Sequence, residues 1–305
     1  NTVLRPLGSS GSSCVDVVST GDISWLEADH ALPATYDVRA FGAQCNGVAD
    51  DTVAIQAAID AAITSRVPVR LPGGTCLFSG ALTIANVAGF TMTGSGPGTS
   101  QNGDTNGTIL RWVGNPSTSA LILQDVREAN IGGFFIRHST GNPLLECVRT
   151  ENGVGTSITP TANVFHDMIC GSDVTGTVTY GFHFDDSGAG GDNNNDFNHL
   201  IDVGVQNYTT AAVYIEGVNS VGHLLDRLVC NGNDVGDSCV KTVAGHFLFR
   251  GGGGGGHDVA DFDLGVPPAR PVIIEGADFE RSARLLMTAA ADLPSPVIIN
   301  GVRWL

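Results

Sequence analysis

The sequence has very little positive charge. Only 15 of its 305 residues are lysine or arginine, and Lys241 is the single lysine, whereas 31 residues are aspartate or glutamate. The formal net charge is −16 at pH 7, and no basic stretch offsets it. Because nucleic-acid binding depends on lysines and arginines that neutralise phosphates, this balance excludes DNA or RNA as the main ligand.

Long apolar runs and closely paired cysteines are also missing. No apolar run reaches the roughly 18 residues of a membrane-spanning helix, so the sequence predicts no membrane partner. The seven cysteines include no C-x-x-C pair, which argues against a zinc site. Cys230 and Cys239 flank a short polar loop, and the spacing allows a disulfide between them. The alternative is that most of the cysteines are small buried apolar residues.

Glycine and short apolar segments are what the sequence has in abundance. It contains 41 glycines, and apolar residues make up 42% of the chain. Short alternating runs separated by Gly, Asn or Asp recur, for example in NVFHDMICG (163–171) and FNHLIDVGVQN (197–207). Their recurrence at roughly 20–30 residues, with longer steps, is typical of the coils of a parallel β-solenoid. A β-sandwich is the alternative, but clear two-residue hairpin signals are missing.

One helix is predicted, over residues 50–65. Asp50, Asp51 or Thr52 supplies its N-cap, and Pro68 prevents its continuation. The predicted apolar face consists of Val53, Ile55, Ala58, Ile59, Ala62 and Ile63.

The rest of the chain divides into an arm and a domain. Residues 1–35 lack a clear period and contain the linker-like GSSGSSC, so we interpret them as an anchoring arm. Residues 36–305 carry the repeating pattern and are predicted to be one domain. The six consecutive glycines at 251–256 predict a loop within that domain, because similar patterning continues on both sides.

Residues 36–98 resemble the opening of the pectate-lyase superfamily of right-handed parallel β-helix proteins. The shared features are Phe-Gly-Ala, a Gly-x-x-Asp-Asp-Thr turn entering a helix, and a strand ending in Leu-Pro-x-Gly. The matching structural residues include Phe41, Gly42, Asp50, Asp51, Thr52, Gln56, Pro72 and Gly74. The resemblance implies an all-β, right-handed parallel β-helix of about 7–9 coils whose first coil is capped by the helix. Capping and turn geometry then explain the Asp50–Asp51 pair better than a catalytic dyad does.

The resemblance leaves several functions open, because this opening occurs in polysaccharide lyases, glycoside hydrolases, epimerases and phage tailspikes. Our first hypothesis is a tailspike-like virion spike or fibre, on the virion surface or extracellular, that contacts host-surface polysaccharide. Residues 1–35 would join it to other virion proteins. The final strand, SPVIINGVRWL, has no capping helix, so we expect a partner chain to cover it, in a homotrimer as the resemblance implies. The alternatives are an extracellular polysaccharide lyase or glycoside hydrolase, and a purely architectural coat or decoration protein.

The densest polar segment is GFHFDDSGAGGDNNNDFNH, residues 181–199. Two of its carboxylates could act as acid and base on a glycosidic bond, and the catalytic candidates are Asp185, Asp186 and Asp196. The candidate carbohydrate contacts are Trp112, His183, Asp185, Asp192, His199 and Tyr208. No metal or other cofactor is predicted, although the carboxylate and amide oxygens suit Ca2+. The same composition is typical of a solvated turn between coils.

A lyase mechanism would need an arginine or lysine as its base. The candidates on the predicted coils are Arg137, Arg149, Arg227 and Arg250. No active-site motif of the superfamily surrounds any of them, and a strongly negative chain is a poor match for an acidic substrate.

Overall fold

A computed structural model gives the architecture of the chain. It describes residues 4–6, 15–17, 35–98, 107–138, 141–153, 158–171, 178–185, 194–217, 219–233, 235–265, 270–288 and 295–305. The chain forms two compact units, residues 1–35 and 36–305. In the first unit, β1 (Leu4–Pro6) pairs with β2 (Val15–Val17) in antiparallel orientation.

Among its described residues, the second unit contains one α-helix, α1 (Thr52–Ser65), one 3-10 helix (Val38–Phe41) and 25 short strands. The strands up to the middle of the chain are β3 (Tyr36–Asp37), β4 (Asn46–Asp50), β5 (Val69–Arg70), β6 (Gly74–Phe78), β7 (Leu82–Ala88), β8 (Thr91–Thr93), β9 (Thr108–Trp112), β10 (Ser119–Arg127), β11 (Asn130–His138), β12 (Leu144–Glu151), β13 (Val164–Gly171) and β14 (Val178–Phe184). The remaining strands are β15 (His199–Gln206), β16 (Tyr208–Ile215), β17 (His223–Asp226), β18 (Val229–Asn231), β19 (Ser238–Thr242), β20 (Phe247–Arg250), β21 (Gly253–Gly255), β22 (Ala260–Leu264), β23 (Val272–Glu275), β24 (Asp278–Glu280), β25 (Leu286–Thr288), β26 (Val297–Asn300) and β27 (Arg303–Trp304).

These strands stack in parallel, each pairing with its equivalent in the next coil. Sheet I contains eight strands in the order β7, β10, β12, β14, β16, β19, β22, β25. The other strands form two adjoining stacks, and β11, β13 and β15 each contribute to both. Sheet II runs from β3 through β5 and β8 to β26, and sheet III from β4 through β6 and β9 to β27. Eight stacked strands in sheet I agree with the 7–9 coils predicted, and the parallel β-helix is confirmed.

A left-handed residue marks the corner between sheets II and III in coil after coil. In each of these coils it lies three residues after a sheet II residue, and these sheet II residues are in register with one another from coil to coil. The corner residues are Gly133, Asp167, Asp202, Arg227, Gly251, Gly276 and Gly301, with φ between 49° and 74°. Glycine adopts this backbone freely and aspartate tolerates it, which explains why these residues recur between the apolar runs. At Arg227 the guanidinium pairs with Asp202 of the preceding corner, with Nε 2.5 Å from Oδ1.

The core is a single apolar cluster that runs through the stack of coils. Large aromatic side chains fill it, including Phe165 against Phe182 with ring centroids 5.5 Å apart. Helix α1 covers the first coil with Ile55, Ala58, Ile59 and Ala62, all buried. Val53, predicted to belong to that face, is instead 83% exposed, because the helix begins at Thr52 and turns this position to solvent.

The residues of the superfamily-like opening hold the first coil together. Asp51 is buried and accepts hydrogen bonds from the backbone N–H groups of Gln44 (2.6 Å) and Cys45 (3.0 Å), not from the helix. Asp50 accepts from the backbone N–H of Thr52 at 2.9 Å, at the helix start. The two carboxylates are thus occupied by structural contacts with the backbone.

The other matching residues brace neighbouring turns. The amide of Gln56 both donates to the Thr83 carbonyl and accepts from the Thr83 N–H, each at 2.8 Å, and so ties the helix to β7. Two of the remaining matching residues lie at the 3-10 helix: Phe41 packs edge-on against Tyr36, and Gly42 ends the helix with φ 104°. The carbonyl of Pro72 accepts a hydrogen bond from Thr108 Oγ1, and Gly74 has φ 120°.

Three disulfides join neighbouring parts of the coils: Cys45–Cys76, Cys147–Cys170 and Cys230–Cys239. The disulfide that the spacing allows at Cys230–Cys239 is therefore present, and the alternative of unpaired buried cysteines is wrong for these six residues. The loop predicted at residues 251–256 is wrong in part, because Gly253–Gly255 is a strand, β21, paired with β18 and β24. Neighbouring coils impose the strand although the glycines themselves have no preference for it.

A ladder of polar side chains runs inside the turn that precedes sheet II. Asn163 Nδ2 donates to Asn198 Oδ1 at 3.0 Å, and the backbone N–H of Asn198 donates to His223 Nδ1 at 3.3 Å. His223 also contacts Ser220 Oγ at 2.9 Å and stacks on Phe184. Burial lowers the pKa of His223 to about 3, so its ring is neutral in the folded chain.

In the described residues, no helix is long and apolar enough to cross a membrane.

Candidate functional site

One row of side chains crosses the middle of sheet I at equivalent positions of successive strands. The register places Arg149 beside His183, His183 beside Tyr214, Tyr214 beside Lys241 and Lys241 beside Asp263. Neighbouring strands lie about 4.8 Å apart, so these groups form a continuous line. Their neighbours along the strands, such as Phe182, point into the core, which places the row on the outward side of the sheet. Arg149, Tyr214 and Lys241 are partly exposed there, whereas His183 and Asp263 are each only 7% exposed. We call this row, with the side chains that contact it, the His183 face.

His183 connects two carboxyl groups through its two ring nitrogens. Nδ1 lies 2.5 Å from Oε1 of Glu146, and Nε2 lies 3.0 Å from Oε2 of Glu216. Glu146 is buried and also accepts a hydrogen bond from Ser119, which fixes its orientation. The side chain of Glu216 is 35% exposed, so this end of the chain of contacts reaches solvent. An imidazole held between two carboxyl groups can accept and release a proton without moving.

Two tyrosines extend the face beside the imidazole. The rings of Tyr180 and Tyr214 stack with centroids 4.8 Å apart and an interplanar angle of 12°. The His183 ring lies 4.8 Å from Tyr214 and 5.4 Å from Tyr180. Burial, with Glu216 nearby, raises the pKa of Tyr214 to about 12, and burial also raises the pKa of Tyr180. Both phenols therefore remain protonated and able to donate hydrogen bonds at neutral pH.

Both basic side chains of the row are held by acidic neighbours. Arg149 forms an ion pair with Asp185, and its Nε lies 2.8 Å from Oε2 of Glu151. The Lys241 ammonium lies 3.0 Å from Oδ2 of Asp263. The carboxylate of Asp185 is almost fully buried, which fixes the guanidinium against the sheet. The charged groups of the face are thus organised before any ligand arrives.

In the part of the chain that the structure describes, two groups of side chains have the ligand types that metals use. The donor atoms of His183, Asp185 and Glu216 all lie within 4.8 Å of one another. One imidazole with two carboxylates is a set that transition metals prefer, whereas Ca2+ takes six to eight oxygens. The second group, Cys45, Asp51 and Cys76, has no free thiolate to offer, because its cysteines form a disulfide.

The structure brings together only part of the predicted site. His183 and Asp185 both lie on the His183 face. Asp196 lies in the turn before β15, where it accepts a hydrogen bond from the Val221 N–H at 3.0 Å and burial raises its pKa. His199 begins β15, and burial lowers its pKa. Asp186 and Asp192 lie outside the described residues.

Two predicted sugar contacts are corrected by burial. Trp112 is fully buried, and its ring packs edge-on against Phe78 with centroids 5.2 Å apart. Tyr208 is also fully buried, with its hydroxyl 2.5 Å from Nε2 of His257. Neither ring has a surface that a ligand can reach, so both belong to the core.

The side chains of the His183 face that the sequence interpretation missed are Glu146, Tyr180, Tyr214 and Glu216. The sequence indicates Arg149 only as an isolated candidate for a lyase base. The signal that unites them is an alignment of segments within the chain: CVRTE, GFHFD and AVYIE each place an outward polar or aromatic residue between two inward ones, and end in a carboxylate. Arg149, His183 and Tyr214 occupy the same column of that alignment.

The sequence matches the family described as rhamnogalacturonase A/epimerase, pectate lyase-like, over residues 35–241. The chain belongs to this family, and the resemblance inferred from residues 36–98 is confirmed. A search of curated proteins found no match.

Several solved structures are similar to this chain. One is the A-module of the Azotobacter vinelandii mannuronan C-5 epimerase AlgE6, with 19% identity, a TM-score of 0.46, and coverage of 81% of this chain and 70% of that one. The phiAB6 tailspike, solved with oligosaccharides of the Acinetobacter baumannii surface polysaccharide, has 14% identity, a TM-score of 0.49, and coverage of 88% and 47%. The bacteriophage CBA120 tailspike protein 2 has 14% identity, a TM-score of 0.44, and coverage of 89% and 43%. This chain therefore spans less than half the length of either tailspike chain.

Proposed function

We propose that this chain binds a polysaccharide across the His183 face, as a tailspike-like spike or fibre protein of a virion. The observation that carries the proposal is the stacked pair Tyr180 and Tyr214 beside His183, on the outward side of sheet I. Sugar rings present apolar C–H faces and hydroxyl edges, and a tyrosine offers both a ring and a hydrogen-bonding hydroxyl. Membership of a pectate lyase-like family supports a carbohydrate ligand over a protein or nucleic-acid ligand.

The test is a binding screen against surface polysaccharides, read by isothermal calorimetry or affinity electrophoresis. The full chain is compared with the Tyr180→Ala, Tyr214→Ala double variant. Binding by the full chain that the double variant loses would support the proposal. Equal binding by both proteins would place the ligand elsewhere, and no binding to any polymer would favour an architectural coat or decoration protein.

The virion setting is part of the same proposal. It includes location on the virion surface or in the extracellular medium, a homotrimer, and attachment to other virion proteins through residues 1–35. Light scattering measures the native mass directly. A mass of three chains supports this setting, whereas a monodisperse monomer contradicts the trimer and shifts weight to a secreted enzyme of the same fold.

A second candidate function is cleavage of the bound polysaccharide. It is favoured by one specific observation, the His183 imidazole held between Glu146 and Glu216. This group can take up or release the proton that cleavage of a glycosidic bond requires, and the protonated Tyr214 hydroxyl lies beside it. Release of reducing ends would indicate a hydrolase, and formation of unsaturated ends would indicate a lyase. Binding without either product leaves the spike function alone.

A further inference from the structure

We propose that the His183 face takes a polysaccharide whose bound sugars carry no carboxylate, so its ligand is a neutral glycan. This inference rests on the proposed function and names the substrate class of the same site. The charge of this face depends on which strands lie side by side, and the sequence alone does not give that arrangement.

Acidic side chains outnumber basic ones on this face. The basic side chains are Arg149 and Lys241, and the imidazole of His183 lies between them in the row. The acidic side chains in contact with these groups are Glu146, Glu151, Asp185, Glu216 and Asp263. Five acidic groups against two basic ones leave a formal excess of three negative charges, in a chain whose net charge is already −16.

The basic groups are also committed to protein partners. Arg149 contacts both Asp185 and Glu151, and the ammonium of Lys241 contacts Asp263. A carboxylate on the ligand would have to displace one of these acidic groups to gain a cation. Among the described residues of the row, each cation is therefore matched by a carboxylate of the chain itself.

The same geometry suits hydroxyl groups well. The Glu216 carboxylate is 35% exposed and Asp263 is 11% exposed, so both can accept hydrogen bonds from sugar hydroxyls. The stacked rings of Tyr180 and Tyr214 supply apolar surface next to these acceptors. A neutral sugar is attracted by such groups, whereas an acidic sugar meets a negative potential as it approaches.

The charge balance also decides between the two cleavage reactions. Elimination by a lyase removes the C–H proton next to a carboxyl or ester carbonyl, which acidifies it, and a neutral sugar without such a carbonyl lacks that group. In hydrolysis, an acid protonates the glycosidic oxygen, a base takes a proton from the attacking water, and the C–O bond to the leaving sugar breaks. The water oxygen forms the new bond to the sugar carbon, the proton of the acid leaves with the departing sugar and the base keeps the proton of the water, so hydrolysis needs no reactant besides water. A neutral ligand therefore points to a hydrolase if the face is catalytic.

The experiment uses polymers that differ in charge alone. Affinity electrophoresis compares polygalacturonate with its fully methyl-esterified form, and acidic bacterial polysaccharides with their carboxyl-reduced forms, beside neutral glucans and mannans. Wherever a pair of polymers binds, we expect the uncharged polymer to bind about tenfold more tightly than the acidic one. Addition of EDTA should leave these affinities unchanged. Tighter binding of an acidic member, or acidic binding that needs added Ca2+, overturns the inference and leaves the proposed function standing. Absence of binding to every polymer overturns both.

A charge variant ties the discrimination to this face. In Glu216→Gln combined with Asp263→Asn, we expect the preference for the uncharged polymer to fall from about tenfold to about threefold or less, because two negative charges are removed. Glu280→Gln is the matched control, since Glu280 lies in β24 on sheet III and is exposed. Equal loss of discrimination in the control would show a whole-chain effect and contradict the assignment to the His183 face.

Discussion

His183 Nδ1 lies 2.5 Å from Oε1 of Glu146, across two adjacent coils of sheet I. The two residues are 37 positions apart in sequence and are brought together only by the register of β12 and β14. Glu146 is buried and held in turn by Ser119, so the carboxyl group fixes the orientation of the imidazole rather than contacting solvent. This relationship makes Glu146 a positioning residue for His183.

For a polysaccharide that the chain cleaves, Glu146→Gln should lower kcat about 100-fold and change the binding affinity less than about threefold. The amide keeps the size of the side chain but replaces one carboxylate oxygen beside the ring with an N–H donor, so the imidazole is no longer held in the same way. Reducing-end release and calorimetry on the same polymer measure the two quantities. Glu280→Gln, which changes an exposed residue of sheet III, is the control and should keep its turnover. Turnover unchanged in Glu146→Gln would remove its positioning role.

Tyr214→Ala should weaken polysaccharide binding at least about tenfold, because it removes the ring that stacks on Tyr180 and faces His183. Tyr214→Phe keeps the ring, so it should retain more than half of the binding free energy that Tyr214→Ala loses. Calorimetric titration with the best polymer of the screen measures both variants. Trp304→Ala, which removes an exposed ring from sheet III, serves as control. If Trp304→Ala weakens binding equally, the ligand lies on sheet III, which contradicts the proposed site on sheet I.

The buried His223 should make the fold sensitive to moderate acid. Its pKa is about 3 in the folded chain and about 6.5 in an unfolded chain, so protonation favours unfolding. Its contribution to stability is complete above about pH 6.5. It is lost progressively as pH falls toward 3, at up to about 1.4 kcal/mol per pH unit.

The measurement is urea unfolding between about pH 7 and pH 4.5, in the native chain and in His223→Asn. Asparagine continues the ladder formed by Asn163 and Asn198 and does not titrate. The variant should therefore show a shallower decline of its unfolding free energy with falling pH. Parallel declines in the two proteins would assign the acid sensitivity to other groups.

The disulfide Cys147–Cys170 links sheet I to sheet III next to the His183 face and closes a segment of 23 residues. Replacing both cysteines by alanine should lower the free energy of unfolding by about 3 kcal/mol, chiefly through the freedom gained by the unfolded chain. The matched variant lacks Cys230–Cys239, which are nine residues apart, and should lose about 0.8 kcal/mol less. Denaturant unfolding under oxidising conditions compares the two, and a larger loss in the second variant would contradict this account.

Gly254→Ala should destabilise the fold by at least about 3 kcal/mol. Gly254 has φ 148°, and an added Cβ would lie 1.7 Å from the carbonyl oxygen of Cys230 in the neighbouring strand. Gly42→Ala is the control, since Gly42 has φ 104° but no atom near its added Cβ, and it should cost only about 1 kcal/mol. Thermal unfolding and soluble yield report the difference. Similar behaviour of the two variants would mean that backbone strain alone sets the cost.

The fold could be predicted from the sequence because its signals are local. Apolar residues alternate along the strands, and Gly or Asp stands at six of the seven left-handed corners named above, as at Asp167 and Asp202, with Arg227 at the seventh. The two errors concern features that depend on neighbouring coils. Val53 faces solvent because the first coil receives the other side of the helix. Gly253–Gly255 is a strand because β18 and β24 pair with it on both sides.

The site was harder to predict because its members come from different coils. His183 and Asp185 stood out in a polar segment, whereas Glu146 and Tyr214 are brought to His183 by strand register alone. The register can be read only when the segments of successive coils are aligned with one another. Trp112 and Tyr208 were placed wrongly because the inward or outward direction of a side chain depends on its parity along the strand, which the interpretation did not assign.

The three disulfides have a consequence for how the molecule responds to force. A chain folded in successive coils and pulled at its ends unravels one coil after another, each released coil adding length. The disulfide keeps the segment between Cys147 and Cys170 closed. At 3.3–3.6 Å per residue, about 75 Å of stretched chain is therefore not added to the length of the pulled molecule. An oxidised chain is therefore a shorter tether than a reduced one, and the coils beside the His183 face remain joined after the coils on either side have been stretched out.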